Sequence, residues 1–266
     1  MGVGGKAALF LILNSEDEIL PLLKIKDEFN FPLFVIGEGK NTLFREEGFP
    51  GVVLKLKGSF RKIIPQHDKV WTGCGVRLAS LLNFFISHAW GGIEGLSGIP
   101  GSVGGALVMN AGGEGFSLGE YVESVEVWEG SSKRVMRPRF AYREGVHTSG
   151  IITGAWLRFV SSDKKKVKQK IKEIMEKRRK KFPHAYPSLG CTFKNPSPRM
   201  PAGLLIERAG LKGLRKGGAL VSPKHANFIV RVGKCKTTDI LDLMQTIQEK
   251  VYRMWGILLE PEVRVV

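Results

Sequence analysis

The sequence predicts an α+β fold in three parts, and three observations carry that expectation. Strand-like and helix-like runs alternate as far as Lys57. A glycine-dense middle from Val70 to about Phe159 holds one clear amphipathic helix among strand-like segments. After it, a lysine-rich helix leads into a last portion that ends on a second amphipathic helix. A chain of 266 residues is long enough to bury a substantial core without covalent staples.

The first run, Ala8 to Leu13, alternates as a strand does. Ser15 then opens a turn with Glu18 three residues on, the spacing of a capping box. Pro32 to Ile36 and Val52 to Lys57 read as further strands. In the middle portion Leu78, Leu81, Leu82, Phe85 and Ala89 fall on one helical face, with Gly91 placed to stop the helix. Val122–Trp128, Lys133–Arg139 and Gly150–Phe159 follow as strands. From Lys164 to Lys181 the apolar residues Val167, Ile171, Ile174 and Met175 recur at helical spacing on a basic helix that Phe182 closes. The last helix runs from about Thr238 to Trp255, with Ile240, Met244, Ile247 and Val251 as its stripe and Gly256 as its stop. The five tryptophans sit within such runs and are expected in the core.

Charge and cysteine usage narrow the function classes. Forty-one Lys and Arg against 25 Asp and Glu give +16, which favours anionic partners such as phosphates and nucleotides. Much of the excess lies on the basic helix. That helix lacks the interleaved aromatics that stack bases, so it reads as a solvated face and no nucleic-acid partner is expected. Cys74, Cys191 and Cys235 form no C-x-x-C pair, and no histidines cluster at zinc spacing, so neither a disulfide framework nor a metal site is indicated. No apolar run reaches membrane-spanning length. Met1–Lys6 lacks the pattern of a signal peptide, so no membrane partner and a cytoplasmic location are expected.

Two glycine-rich stretches carry the chemistry. Gly37-Glu38-Gly39-Lys40-Asn41 follows the apolar Phe34-Val35-Ile36, and glycines so placed let backbone N–H groups approach a phosphate. A tight turn after a strand explains it about as well, and the dinucleotide fingerprint G-x-G-x-x-G is missing. The stretch from Gly95 to Gly113 holds seven glycines in nineteen residues, irregularly spaced among apolar residues. This suits a backbone wrapped against an extended ligand better than a flexible linker.

Taken with Val3-Gly4-Gly5-Lys6-Ala7, Gly98-Ile99-Pro100-Gly101-Ser102-Val103-Gly104-Gly105, Tyr142-Arg143, Gly190-Cys191-Thr192-Phe193-Lys194-Asn195-Pro196, Ala209-Gly210-Leu211-Lys212-Gly213, Lys224-His225-Ala226-Asn227-Phe228 and Leu259-Glu260-Pro261-Glu262-Val263-Arg264, the sequence closely resembles the UDP-N-acetylenolpyruvoylglucosamine reductases, also called UDP-N-acetylmuramate dehydrogenases. The resemblance covers nearly the whole chain in the family's order. It implies a three-domain flavoprotein with an FAD-binding fold of the vanillyl-alcohol-oxidase type and a substrate-binding α/β domain. Residues 1–58, completed by 261–266, and residues 59–160 would hold FAD, and 161–260 would bind substrate. The implied enzyme is an oxidoreductase of peptidoglycan synthesis: NADPH, as co-substrate, reduces a non-covalent FAD, which reduces UDP-N-acetylglucosamine enolpyruvate to UDP-N-acetylmuramate. A monomer is expected. Few residues separate Tyr142-Arg143 from the basic helix, so the chain looks like the loop-less type II branch.

The resemblance also implies roles residue by residue. Gly37, Glu38, Gly39, Lys40, Asn41, Gly98, Ile99, Pro100, Gly101, Ser102, Gly104, Gly105, Asn110, Ala111 and Gly112 match the cofactor segments. Arg143 matches the family's catalytic arginine; hydride arriving on the enolpyruvyl group pushes charge toward its carboxylate, which a guanidinium can bind through two parallel bonds. Alone, a Tyr-Arg pair reads as a surface strand. Cys191 stands where the family's proton donor stands, and Glu262 where its C-terminal catalytic glutamate does. Lys194 and Asn195 lie in the substrate-binding motif, and His225 in another stretch near the substrate, although a lone histidine in an apolar run is more often structural. Glu260 does not match the catalytic position and reads as structural or solvent-facing.

The chain departs from the family's pattern in three places. The donor position usually carries Ser and here carries Cys191, for which a small buried filler beside Phe193 is the plain alternative. Lys40 replaces a serine of the phosphate loop and could reach a flavin phosphate. The stretch ahead of Val3 is shorter than the family's usual extension. Two rival functions remain: another flavin enzyme of the same fold, with no reason to keep Arg143, Cys191 and Glu262 together, and a nucleic-acid binder, which would purify colourless.

Overall fold

The computed structural model describes residues 1–113 and 115–266. Helices and strands are mixed, as the two periodicities predict. The chain divides into two compact units, one of Leu9–Glu38 and Pro50–Lys177, the other of Met1–Ala8, Gly39–Phe49 and Arg178–Val266.

The first unit is built on a five-stranded antiparallel sheet in the order Ser132–Met136, Val122–Glu129, Ile151–Arg158, Lys69–Gly73, Ile63–Gln66. Ile151–Arg158 is buried along nearly its whole length, which is why it reads as a continuous apolar run and not as an alternating one. A three-stranded sheet joins Ala7–Leu13, Phe49–Leu56 and Leu33–Val35, the last two in parallel. Ahead of helix α1 (Ile19–Phe29) the Ser15 N–H donates to Glu18 Oε2 at 3.0 Å, the capping box that the spacing predicts.

Helix α2 (Leu78–Ser87) buries Leu78, Leu81, Leu82 and Phe85 but stops short of the Gly91 that the sequence marks. Ser87 Oγ donates to the Phe84 carbonyl at 2.7 Å, His88 Nδ1 lies 2.9 Å from the same oxygen, and Ala89 turns to φ 56°. Side-chain bonds to the last-turn carbonyl thus end the helix, and Ala89 is not on its face. Helix α3 (Val103–Met109) lies inside the glycine-rich stretch, where the sequence suggested only wrapped backbone. Gly104 and Gly105 mask it, since glycine is among the poorest helix formers. Val103, Ala106 and Leu107 nevertheless bury one side of it. Helix α4 (Lys164–Lys181) opens on Asp163, whose Oδ1 accepts from the amides of Lys165 and Lys166 at 2.7 and 3.1 Å, and Val167 is its buried anchor. The tryptophans are half-buried, contrary to the core positions expected of them. Trp71 faces Trp156 across two strands, and Trp90 stacks on Phe159 with centroids 3.8 Å apart; their size lets them cover a core edge.

In the second unit, helices α5 (Ala202–Arg208) and α6 (Thr237–Trp255) pack beside a small antiparallel sheet of Arg215–Lys216, Ala219–Val221 and Ile229–Arg231. Ile240, Leu243, Met244, Ile247 and Val251 are buried along α6, each contributing about 1.5–3 kcal/mol. Gly256, at φ 67°, ends it as its position predicts. Arg264–Val265 pairs in parallel with Thr42–Leu43, so the C-terminal residues return to the segment just after Asn41.

Candidate active site

In the first unit Gly37 and the α3 segment form a close-packed backbone cradle. A Cβ on Gly37 would stand 2.5 Å from Ser102 Oγ, and one on Gly104 would stand 3.0 Å from Cys74 Cβ. Ser102 is buried and caps α3, accepting from the Gly105 amide at 3.4 Å. The segment is braced against residues 74–78: Leu78 N–H donates to the Gly101 carbonyl at 3.0 Å, Val103 N–H to Val76 at 2.8 Å and Gly104 N–H to Cys74 at 3.0 Å. Gly98, Pro100 and Gly105 are exposed, Ile99 and Gly101 half-buried. The result is a bare, rigid stretch of main chain, of the kind a flat, phosphate-bearing ligand such as FAD can approach closely, so these residues fit the cofactor. Glu38 lies 3.2 Å from Lys55 Nζ and 3.9 Å from Arg77 Nε. Burial raises the Cys74 thiol far above its ordinary range, which makes it an inert packing residue.

At the end of α3, Asn110 takes the left-handed conformation and Ala111 N–H donates back to Ala106 at 2.9 Å. The tight turn Ala141–Glu144 is closed by reciprocal main-chain bonds of 2.9 and 3.1 Å, and it carries Arg143 at φ 58°. An arginine there costs about 1–3 kcal/mol, and it persists only because its surroundings hold it. Its Nη1 donates to the Gly112 carbonyl at 2.9 Å, and its guanidinium lies 5.3 Å from the Tyr142 ring centroid. Arg143 is therefore on a constrained turn and not on the surface strand that a Tyr-Arg pair suggests by itself.

The second unit brings Cys191, Lys194, Asn41 and Glu262 onto one framework. Phe193 and Pro261 form an antiparallel bridge, with Glu262 N–H donating to the Thr192 carbonyl at 2.8 Å and Lys194 N–H to Glu260 at 2.9 Å. The main chain of Glu262 thus lies against the residue next to Cys191. Asn41 Nδ2 donates to the Glu262 carbonyl at 2.9 Å, and the Asn41 carbonyl accepts from Arg264 N–H at 2.9 Å. Thr192 and Phe193 are buried, whereas Cys191 and Glu262 are half-buried, so Cys191 is not a sealed core filler. Lys194 Nζ pairs at 2.6 Å with Glu260, whose side chain is largely exposed. Asn195 Oδ1 accepts from Ala202 N–H at 3.0 Å, and Lys40 is exposed.

Asn227, quoted within a motif but not singled out as a site residue, braces this framework. It is 2% exposed; its Oδ1 accepts from Phe193 N–H at 2.9 Å, its Nδ2 donates to the Phe193 carbonyl at 2.8 Å, and its own carbonyl accepts from Thr192 N–H at 2.8 Å. The available signal was an amide side chain in an apolar run, which must find partners when buried. His225 packs among Phe182 and Phe228, with ring centroids 5.3 and 5.1 Å away, and accepts from Asn227 N–H at 3.3 Å through Nδ1. Burial, reinforced by Lys181 and Lys212, lowers its pKa below the ordinary histidine value. Among the described residues no group of three or more His, Cys, Asp or Glu side chains is arranged to hold a metal ion.

Comparison with known proteins bears on both units. Residues 7–135 match an FAD binding domain, and residues 182–266 match the C-terminal domain of UDP-N-acetylenolpyruvoylglucosamine reductase. A UDP-N-acetylenolpyruvoylglucosamine reductase of Caldanaerobacter subterraneus subsp. tengcongensis is 37% identical, the match covering 99% of this chain and 89% of the relative. One of Chloroherpeton thalassium is also 37% identical, over 99% of this chain and 88% of the relative. The crystal structure of the reductase of Thermus caldophilus superposes with a TM-score of 0.85 at 35% identity, covering 99% of this chain and 94% of that one. With identity at this level over almost its entire length, the chain belongs to the UDP-N-acetylenolpyruvoylglucosamine reductase family.

Proposed function

We propose that this chain reduces UDP-N-acetylglucosamine enolpyruvate to UDP-N-acetylmuramate with NADPH and FAD, with Arg143, Cys191 and Glu262 as its catalytic residues. Bound FAD, recharged by NADPH, supplies hydride chemistry that no side chain can provide. Gly37, Ser102, Gly104 and Gly105, with the neighbouring residues 98–101 and 111–112, make the main-chain cradle for it; Gly39, Lys40 and Asn41 continue the loop.

The side chains must then manage charge and one proton. Reduction of the enolpyruvyl double bond drives negative charge onto the substrate carboxylate, and Arg143 is the fixed cation to receive it. The carbon alpha to that carboxylate needs a proton, which the Cys191 Sγ–H donates; an ordinary thiol is protonated at neutral pH and is a stronger acid than the serine hydroxyl. Glu262 stabilises the enol form. Lys194, Asn195 and His225 serve the nucleotide-sugar. The observation that carries this assignment is the Phe193–Pro261 bridge, which fixes a thiol and a carboxylate from distant parts of the chain on adjoining main-chain segments. Among the described residues no helix is long and apolar enough to cross a membrane. A cytoplasmic monomer is part of the proposal.

The test is NADPH oxidation by the FAD-loaded protein, with the product identified by mass. Oxidation that depends on the enolpyruvyl nucleotide-sugar and yields UDP-N-acetylmuramate is expected. Oxidation indifferent to that substrate would favour the rival flavin enzyme.

A further inference from the structure

We infer that Asn110 is the positioning residue of Arg143, acting through the Ala141–Glu144 turn and not by touching the cofactor. This rests on the reading of Arg143 as a catalytic residue. Asn110 is 5% exposed, and its amide is engaged on both sides. Oδ1 accepts from Ser117 Oγ at 2.7 Å and from Gly119 N–H at 2.9 Å. Nδ2 donates to the Ala141 carbonyl at 2.7 Å. Ala141 is the residue whose main chain closes the turn that carries Arg143.

The turn is fastened to the end of α3 at two further points. Gly145 N–H donates to the Val108 carbonyl at 3.2 Å and Val146 N–H to Leu107 at 3.0 Å, both just beyond the turn. Ahead of the turn, the Asn110 amide is the corresponding tie. Both Asn110 and Arg143 hold positive φ, 43° and 58°. Such conformations persist where neighbours over-determine them, and asparagine tolerates the left-handed region far better than arginine does. The arginine has its own tether, Nη1 to the Gly112 carbonyl two residues past Asn110. One continuous hydrogen-bonded path therefore runs from the α3 segment through Asn110 to the turn that aims the guanidinium. Loss of the Ala141 bond would let the turn shift, and a displacement near 1 Å at a reacting centre can cost about 10²-fold in rate.

The experiment is a double-mutant cycle in the FAD-loaded enzyme. Asn110→Asp keeps an acceptor for Ser117 and Gly119 and tolerates positive φ, but puts an oxygen where Nδ2 donated to Ala141. It should retain one FAD per chain, lower kcat by about 10- to 10²-fold with KM for the nucleotide-sugar nearly unchanged, and speed amide exchange at Glu144. Combined with Arg143→Ala it should be no slower than Arg143→Ala alone, because both remove the same aimed cation. If Asn110→Asp does not fold, Asn110→Gly, which accepts the same φ, takes its place in the cycle. Loss of FAD from either variant, or rate losses that multiply in the double variant, would overturn the inference. An Arg143→Ala enzyme with wild-type kcat would instead overturn the catalytic reading of Arg143 on which it rests.

Discussion

Cys191 is flanked by Gly190, at φ 85°, and by the buried Thr192, yet is itself half-buried. Its sulfur chemistry makes the sharpest residue-level prediction. Cys191→Ser should keep substantial activity because a hydroxyl can donate the same proton, whereas Cys191→Ala should lose about 10² to 10⁴ in reduction of the enolpyruvyl substrate. Stopped-flow bleaching of the flavin by NADPH should be unchanged in both. An alanine variant at near wild-type rate would return Cys191 to packing. Glu262 makes a parallel case: Glu262→Gln is nearly isosteric, and the Glu262 main chain is held by Thr192 and Asn41, so the fold should survive. Substrate reduction should fall by about 10² to 10⁴, the usual worth of a positioned acid–base or electrostatic group. Equal slowing of the NADPH step would make Glu262 a cofactor or structural residue.

At the scale of elements, the contact between Gly37 and the α3 cap is testable. A methyl added at Gly37 would meet Ser102 Oγ at 2.5 Å, and the serine would have to leave its capping position or push the loop outward. Gly37→Ala should weaken FAD binding about 10- to 100-fold, the equivalent of the roughly 1–3 kcal/mol that overpacking costs. Quenching of flavin fluorescence on titration measures this, and unchanged affinity would place the cofactor elsewhere. The segment around His225 makes a pH prediction. Since its pKa is lowered in the folded protein, the unfolded chain takes up the proton first as pH falls. Its contribution to stability is full above about pH 6.5, the ordinary histidine value, and is lost on descending through the lower folded pKa. Urea midpoints from pH 8 to pH 5 should fall less steeply in His225→Gln than in the parent, and identical slopes would contradict the reading. These elements were unevenly legible. Strong periodicity exposed α2, α4 and α6, while α3 hid behind Gly104 and Gly105, and α2 ended on Ser87 and His88 bonds that no glycine announces.

For the whole molecule, the mixed fold and the family were readable because the motifs recur in order along the chain. The return of Arg264–Val265 to Thr42–Leu43 was not written in local pattern, since pairings across so much sequence depend on tertiary packing. The site followed the same rule. The proposed catalytic residues Arg143, Cys191 and Glu262 rest on the resemblance, whereas the hydrogen bonds around them, from Asn110 to the Ala141–Glu144 turn and from Asn227 to the Cys191 segment, join distant residues and emerge only in the fold. The net charge of +16 suits a protein whose substrate, co-substrate and cofactor are all phosphorylated. FAD should bind one per chain and be released into solution by acid precipitation, because residues 37–41 and 98–113 hold no Cys or His and the thiol packed behind them, Cys74, is buried with its pKa raised; colour retained in the pellet would contradict this. The most direct test of the account is anaerobic and uses one preparation. NADPH should bleach the flavin of the holoenzyme, and UDP-N-acetylglucosamine enolpyruvate added afterwards should restore the yellow absorbance with one UDP-N-acetylmuramate formed per flavin. A flavin that NADPH bleaches but this substrate leaves bleached would contradict the assignment.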